Sequence, residues 1–243
     1  MLSCVDNYEQ TRIADSRIRR AAKLSSKGGN IYSILSSHPS VSSLYAYARK
    51  DLPATSAKVH PLVSSDSSTW ASLYPKTSSI FFSALGTTRG AAGSVANQRK
   101  IDFDLNLELA KAAKDHGATT CVIVSSGGAN PTSMLAYPKM KGELEEAVKQ
   151  LGFEHTVILR PGLIVGQRED SRPPEFAFRK IAQWAGMVSE TYLKQWWAQD
   201  ADVIAKAAVS AALQCHEAKV HQKVWMLNQS DIVRLGKTEW NRS

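Results

Sequence analysis

The sequence predicts an α/β domain built on a doubly wound parallel sheet, and three observations carry that expectation. Short, continuously apolar runs such as SSIFFSAL (78–85), CVIVSS (121–126) and HTVIL (155–159) alternate with segments of helical periodicity. Runs of this kind are strands buried on both faces, as parallel strands are when helices cover the sheet on either side. The third observation is length: 243 residues suit one large domain, with no linker, repeat or low-complexity tract to divide them.

Residues 1–27 (MLSCVDNYEQTRIADSRIRRAAKLSSK) stand apart as an atypical basic segment, in which Asp15 interrupts Arg12, Arg17, Arg19, Arg20, Lys23 and Lys27. A mitochondrial targeting segment is rich in Arg and Ser and poor in acids. Asp6, Glu9 and Asp15 weigh against that reading and favour a frayed or solvated helix. Residues 28–243 form the main domain. Its first stretch, 28–38, reads as the later part of a helix after a glycine turn. Residues 40–50 (SVSSLYAYARK) then read as a strand ending in Arg49 and Lys50. At the end of the second strand of a dinucleotide-binding sheet such a basic pair holds the 2′-phosphate of NADP, where an acidic residue favours NAD. Solvated strand-end charges are an equal alternative.

Residues 58–66 read as a third strand that Pro61 confines to a sheet edge. The buried strand at 78–88 ends in Gly86, Thr87, Thr88, Arg89 and Gly90, small enough for backbone to approach a ligand. The spacing of Gly86, Gly90 and Gly93 is no phosphate fingerprint. Residues 98–117 read as a helix with an apolar side at Ile101, Leu105, Leu109, Ala112 and Ala113, stopped by Gly117. Asn106 lies in its middle, facing either a site or solvent. A strand at 121–126, a helix at 138–152 and a strand at 155–166 follow, the last leaving through Arg160, Pro161 and Gly162. The polar, proline-bearing stretch 166–176 suits a substrate lid. Helices at 176–186 and 200–215 come next, on the substrate side, and 223–236 supplies a late strand and a short final segment.

The formal charge of +8 and the pI of about 9.4 favour acidic partners: a phosphorylated cofactor, an anionic membrane surface or nucleic acid. Nucleic acid rests on charge alone and is not favoured, and an inert basic surface explains the charge as well. No apolar run approaches the ~18–20 residues of a membrane span. Cys4, Cys121 and Cys215 are odd in number and lack C-x-x-C spacing, so neither a disulfide framework nor a metal site is expected.

The chemistry concentrates between Cys121 and Val148. Ser126 closes a buried strand, and Tyr137 and Lys141 lie four apart, on one face of a helix. Carbonyl reduction needs a proton on the developing alcohol oxygen. A tyrosine hydroxyl can give it, with an ordinary pKa of about 10 that a neighbouring ammonium lowers. Lys141 is expected to supply that ammonium and to hold ribose hydroxyls, and Ser126 to orient the substrate oxygen. Pro138 fits only the first turn of the helix.

FFSALGTTRGAAGS, QRKIDFDLNLELAKAAK, VIVSSGGANP, YPKMKGELEEAV, VILRPGLIVG and QSDIVRLGKTEW resemble the atypical short-chain dehydrogenases/reductases. The nearest branch is that of the fungal mitochondrial outer-membrane NAD(P)-binding proteins, related to the animal Tat-interacting/metastasis-suppressor oxidoreductases. The resemblance implies a Rossmann-like fold, an NAD(P) site and peripheral attachment to the cytosolic face of the mitochondrial outer membrane, a cytoplasmic location being the alternative. It implies a catalytic set of Ser126, Tyr137 and Lys141. On the cofactor side it implies Gly28, Arg49 with Lys50, Thr87, Thr88, Lys141 and Arg160, with NADP(H) preferred over NAD(H) and a small-molecule carbonyl or alcohol as substrate.

The family begins with an apolar first strand that runs into T-G-x-x-G. Here only Gly28 stands where that motif ends, so the N-terminal strand is expected to be absent or replaced. Each buried backbone group left unpaired beside the gap costs roughly 1–3 kcal/mol. Either residues 1–27 supply a substitute, or the start belongs to a mis-joined reading frame, the favoured alternative. The competing function is a non-catalytic interaction protein on the same scaffold, peripheral to the membrane and impaired in cofactor binding.

Overall fold

Seven strands form one sheet in the order β3-β2-β1-β4-β5-β6-β7. The computed structural model describes residues 2–6, 26–52, 56–76, 78–162 and 200–240. The strands are β1 (Leu2–Asp6), β2 (Ser43–Ala48), β3 (Val59–Val63), β4 (Ile80–Ser83), β5 (Thr120–Val124), β6 (His155–Leu159) and β7 (Val224–Leu227). β2 and β3 are parallel, as are β4 through β7. β3, the strand carrying Pro61, lies at the edge, where a residue without an N–H is tolerated.

The gap between β2 and β4 is filled. β1 occupies it and runs antiparallel to both neighbours, with Cys4 opposite Tyr45 on one side and Phe81 on the other. The N-terminal strand is therefore replaced rather than absent. An antiparallel ladder satisfies the inner edges of β2 and β4 as a parallel one does, because both exhaust the backbone donors and acceptors.

The helices are α1 (Ser26–Ser37), α2 (Arg89–Ala92), α3 (Val95–Arg99), α4 (Asn106–Asp115), α5 (Ala136–Gln150), α6 (Ala201–His216) and α7 (Gln229–Val233). Side chains alternate across the sheet with the period of two that a strand imposes. Leu44, Ala46, Ile80, Phe82, Val122, Val124, Val157 and Leu159 join one core, which α1 and α6 cover. Tyr47, Phe81, Cys121, Ile123 and Ile158 join the other, with Leu109 and Ala113 of α4 and Leu144 and Val148 of α5. Burial pushes the Cys121 thiol far up and the Cys215 thiol to about 11, so both behave as small apolar groups.

The predicted helix over 98–117 is not one regular element. α3 passes into a π-turn over Lys100–Leu105 before α4 begins. Asn106 explains the turn. Its amide Nδ2 donates to the carbonyls of Ile101 at 2.9 Å and Asp102 at 3.3 Å, and its Oδ1 accepts from Ser83 Oγ at the end of β4. Asn106 is thus buried and structural, neither facing solvent nor aimed into a site. The helix at 28–38 begins earlier than expected, at Ser26, so Gly28 lies inside its first turn rather than in a preceding glycine turn. The expected lid at 166–176 and helix at 176–186 lie outside the described residues. α6, expected on the substrate side, packs against α1 and the sheet.

Candidate active site

The carboxyl ends of β2, β4, β5 and β6 lie along one edge of the sheet, as their shared register requires. Open α/β sheets bind ligands along such an edge. Residues Arg49 and Lys50, the loop 84–88, Ser125 with Ser126, and Arg160 all follow directly from these strand ends. Arg49 and Lys50 are solvent-exposed.

Tyr137 and Lys141 are on α5, which starts at Ala136, so Pro138 falls in the first turn, where its missing N–H has no helical partner to lose. Asn130 N–H donates to the Pro138 carbonyl at 3.0 Å, which seats the loop after Ser126 on the start of the helix. Gly142 permits this close approach: a Cβ there would lie 2.2 Å from Pro131 N and 2.4 Å from the Asn130 carbonyl carbon. At the other end of the loop, Gly127 N–H donates to the Pro161 carbonyl at 2.8 Å.

Lys141 is 3% exposed, and its Nζ lies 6.0 Å from the centre of the Tyr137 ring. The ammonium is 3.3 Å from Asp102 Oδ1, close enough for an ion pair but misaligned for a hydrogen bond, so Oδ1 accepts none among the described residues. This carboxylate changes the electrostatics expected for Tyr137. Burial first, and then the Asp102 charge, push the phenol up from its ordinary value, although 40% of the residue is exposed. The expectation that Lys141 lowers it is corrected: burial raises it most, and a buried anion stands beside the cation. The phenol stays protonated through neutral pH.

Asp102 also reaches the loop after β4. Its Oδ2 accepts the Thr87 N–H at 2.7 Å, and Gln98 Nε2 donates to the Thr87 carbonyl at 3.2 Å. Both sides of one residue are thus gripped by two buried side chains of the α3–π-turn segment. Gly86 stands in front of the pair: an added Cβ would lie 3.2 Å from Asp102 Oδ1 and 3.9 Å from Lys141 Nζ. Glycine at 86 therefore keeps any side chain off this buried pair and leaves only backbone beside it. Thr88 caps α2, its hydroxyl accepting from Ala91 N–H at 3.2 Å.

A second buried carboxylate braces the site from behind. Glu145 is 0% exposed and lies one turn beyond Lys141 on α5. It accepts from Ser125 Oγ at 2.5 Å and from Arg160 Nε at 3.0 and 3.2 Å, with Arg160 Nη2 completing the fork. Arg160, expected on the cofactor side, is thus committed to Glu145. Those hydrogen bonds hold its guanidinium charged above the ordinary value. Gln98, Asp102, Ser125 and Glu145 were not among the expected site residues. The signal that could have found them is polar residues four apart on apolar helix faces, Gln98 with Asp102 and Lys141 with Glu145. Among the described residues no group of acidic, His or Cys side chains could hold a metal, and no helix is long and apolar enough to cross a membrane.

The fold compares with solved structures as follows. A short-chain dehydrogenase from Burkholderia cenocepacia, in complex with NADP, superposes with a TM-score of 0.58, covering 84% of each chain at 13% identity. A UDP-N-acetylglucosamine 4-epimerase from Methanobrevibacter ruminantium gives a TM-score of 0.58, covering 83% of this chain and 72% of that one at 15% identity. These likenesses place the chain in the Rossmann-like α/β class. Residues 76–195 match a protein-family model described as HIM1. FMP52, mitochondrial, of Coccidioides immitis is 45% identical over 228 residues, covering 87% of this chain and 93% of that protein. The protein fmp52, mitochondrial, of Aspergillus clavatus is 53% identical over 220 residues, covering 86% of this chain and 93% of that protein, and the chain belongs to the fmp52 family.

Proposed function

We propose that this protein is an NAD(P)(H)-dependent oxidoreductase of the short-chain dehydrogenase type, acting on a carbonyl or alcohol substrate. The observation that carries the reading is the corner formed by Gly86, Lys141 and Tyr137: a buried ammonium beside bare glycine backbone, one helical turn from a protonated phenol. A nicotinamide dinucleotide bound there supplies the hydride. Ser126 orients the substrate oxygen, and Tyr137 gives its hydroxyl proton to that oxygen as the alcohol forms. Lys141 binds ribose hydroxyls and offsets the charge left on Tyr137. Arg49 and Lys50, exposed at the end of β2, favour NADP(H) over NAD(H) by pairing with a 2′-phosphate. The formal charge of +8 supports a peripheral place on an anionic membrane, the mitochondrial names of the relatives support a mitochondrial location, and together they make up the reading of a place on the mitochondrial outer membrane.

Thermal unfolding with NADPH and with NADH tests the reading, because a ligand at about 100 times its Kd adds about 2.7 kcal/mol to the folded state. NADPH is expected to raise Tm more than NADH. With a substrate found by aldehyde and ketone screening, Tyr137→Phe is expected to abolish turnover while sparing cofactor binding. Retained turnover in that variant removes Tyr137 from the mechanism.

One observation favours a second reading, a non-catalytic interaction protein. Because β1 is antiparallel, its carboxyl end lies beside Ser43, at the sheet edge opposite the site. Absence of any shift with either nucleotide, together with binding to anionic vesicles, decides for that reading.

A further inference from the structure

Asp102 is buried, charged and unused by the reaction just described, and it touches both the loop after β4 and the lysine of α5. Several features converge on it. The chain forms a π-turn at this point, and single π-turns inside helices recur at functional sites. Asn106 satisfies the carbonyls that the turn frees, and Ser83 ties Asn106 to the end of β4. Gln98, four residues earlier, holds the other side of Thr87. A continuous polar path therefore runs from β4 through Asn106 and the π-turn to the Asp102 carboxylate. From there it divides, to Thr87 and to Lys141.

We propose that Asp102 is a positioning residue, which presents Lys141 and the Gly86–Thr88 loop to the nicotinamide-ribose half of a dinucleotide as one preset unit. The inference rests on the NAD(P) reading of the site. A lysine side chain on its own loses much rotamer freedom when it binds a ligand. Here the carboxylate has already fixed the ammonium, and the same carboxylate fixes the backbone opposite it through the other oxygen. Preorganisation of this kind raises affinity by removing an ordering cost from the binding step. Gly86 completes the design, since any side chain there would press on Asp102 Oδ1.

Asp102→Asn tests this. The amide keeps the shape and can still accept from Thr87 N–H, but it loses the charge that holds Lys141. Gln98→Met removes the other grip on Thr87 and leaves the ion pair intact. Folding of both is checked by near-UV circular dichroism. Affinity is measured by calorimetry for NADPH or NADH, whichever the wild type binds more tightly, and for its adenine half, 2′,5′-ADP or 5′-ADP. Asp102→Asn is expected to weaken the dinucleotide about tenfold, in keeping with loss of a charged contact, and to leave the adenine half within about twofold. Gln98→Met is expected to show the same asymmetry at smaller size. Equal weakening of both ligands by Asp102→Asn marks a merely structural role and overturns the proposal, as does unchanged dinucleotide affinity. Without nucleotide, acetylation of Lys141 by a mild amine reagent, read by mass spectrometry, is expected to speed up in Asp102→Asn. An unchanged rate shows that Asp102 does not hold Lys141. Wild-type protein that binds neither dinucleotide overturns the NAD(P) reading itself, and the acetylation rate alone then decides whether Asp102 controls the lysine.

Discussion

Replacing Val5 by proline is expected to destabilise the whole sheet, because β1 has a strand on each side. Val5 lies opposite Leu44 in β2 and Ile80 in β4, which are 0% and 2% exposed. In an antiparallel ladder the N–H of such a residue goes to one neighbour or the other. Proline has no N–H, so a carbonyl in β2 or β4 loses its donor where water cannot replace it. That orphaned acceptor costs roughly 1–3 kcal/mol. With a urea dependence of roughly 2 kcal/mol per molar, the unfolding midpoint falls by roughly 0.5–1.5 M. Val5→Ala keeps the N–H and serves as the reference variant. Urea titration followed by circular dichroism gives the midpoint, and hydrogen exchange at the amides of Leu44, Ala46, Ile80 and Phe82 localises the effect. A midpoint equal to that of Val5→Ala, with unchanged exchange in β2 and β4, refutes the placement of β1 between them.

Three further outcomes follow from the packing and charges. Gly142→Ala forces a methyl against Pro131 and Asn130, so the loop after Ser126 must leave α5; a loss of about 1–3 kcal/mol in urea unfolding is expected, and a neutral result contradicts the close approach. Glu145→Gln breaks a buried pair, a change worth about 3–5 kcal/mol when both partners are enclosed. The Arg160 side chain is 32% exposed, so water relieves part of that and a loss of about 2 kcal/mol is expected in thermal or urea unfolding. Burial first, and then Lys58, push His38 below its ordinary 6.5, with Glu217 opposing. The ring is neutral with Nδ1 accepting from Ser40 N–H at 3.2 Å. Its contribution to stability is therefore full above 6.5 and lost as pH falls through the lowered folded value. Melting scans from pH 7.5 to 5 are expected to fall less steeply in His38→Asn than in the wild type, and equal slopes count against the assignment.

Strands β4, β5 and β6 were legible in the sequence because burial on both faces leaves a continuous apolar signature, as in IFFS and TCVIV. β1 was not. LSCVD is short, ends in an acid and precedes a basic run, and its direction is set by pairing with residues about 40 and 80 positions away. Periodicity is a local signal and cannot report such a partner. The same limit appears in the site. Lys141 lies four residues from Tyr137, so their shared face could be read directly. Burial, and then Asp102 approaching from another helix, push Tyr137 in the direction opposite to the one expected. The helix over 98–117 was readable as a helix, whereas its π-turn depends on one amide, Asn106, reaching back to two carbonyls.

The position of β1 separates two halves of the candidate site. The corner of Gly86, Asp102, Tyr137 and Lys141 is carried by β4, β5, α3, the π-turn and α5, and its polar contacts run among those elements. β1 meets this assembly through its ladder with β4. In a sheet whose first strand is parallel, that strand ends at the ligand edge and turns directly into the helix whose N-terminus holds a pyrophosphate. Here the Leu2 end of β1 lies at that edge, beside Ser83, and the chain departs from the opposite one. The reversal keeps the backbone of β2 and β4 paired while placing the carboxyl end of the central strand at the edge away from the ligand side. On the proposed reading, proton delivery and phosphate binding, coupled through one continuous strand–turn–helix in the parallel arrangement, depend on different parts of this chain. A loss of dinucleotide affinity caused by the N-terminal segment leaves the geometry around Lys141 intact, and the Lys141 acetylation rate is the measurement that registers the difference.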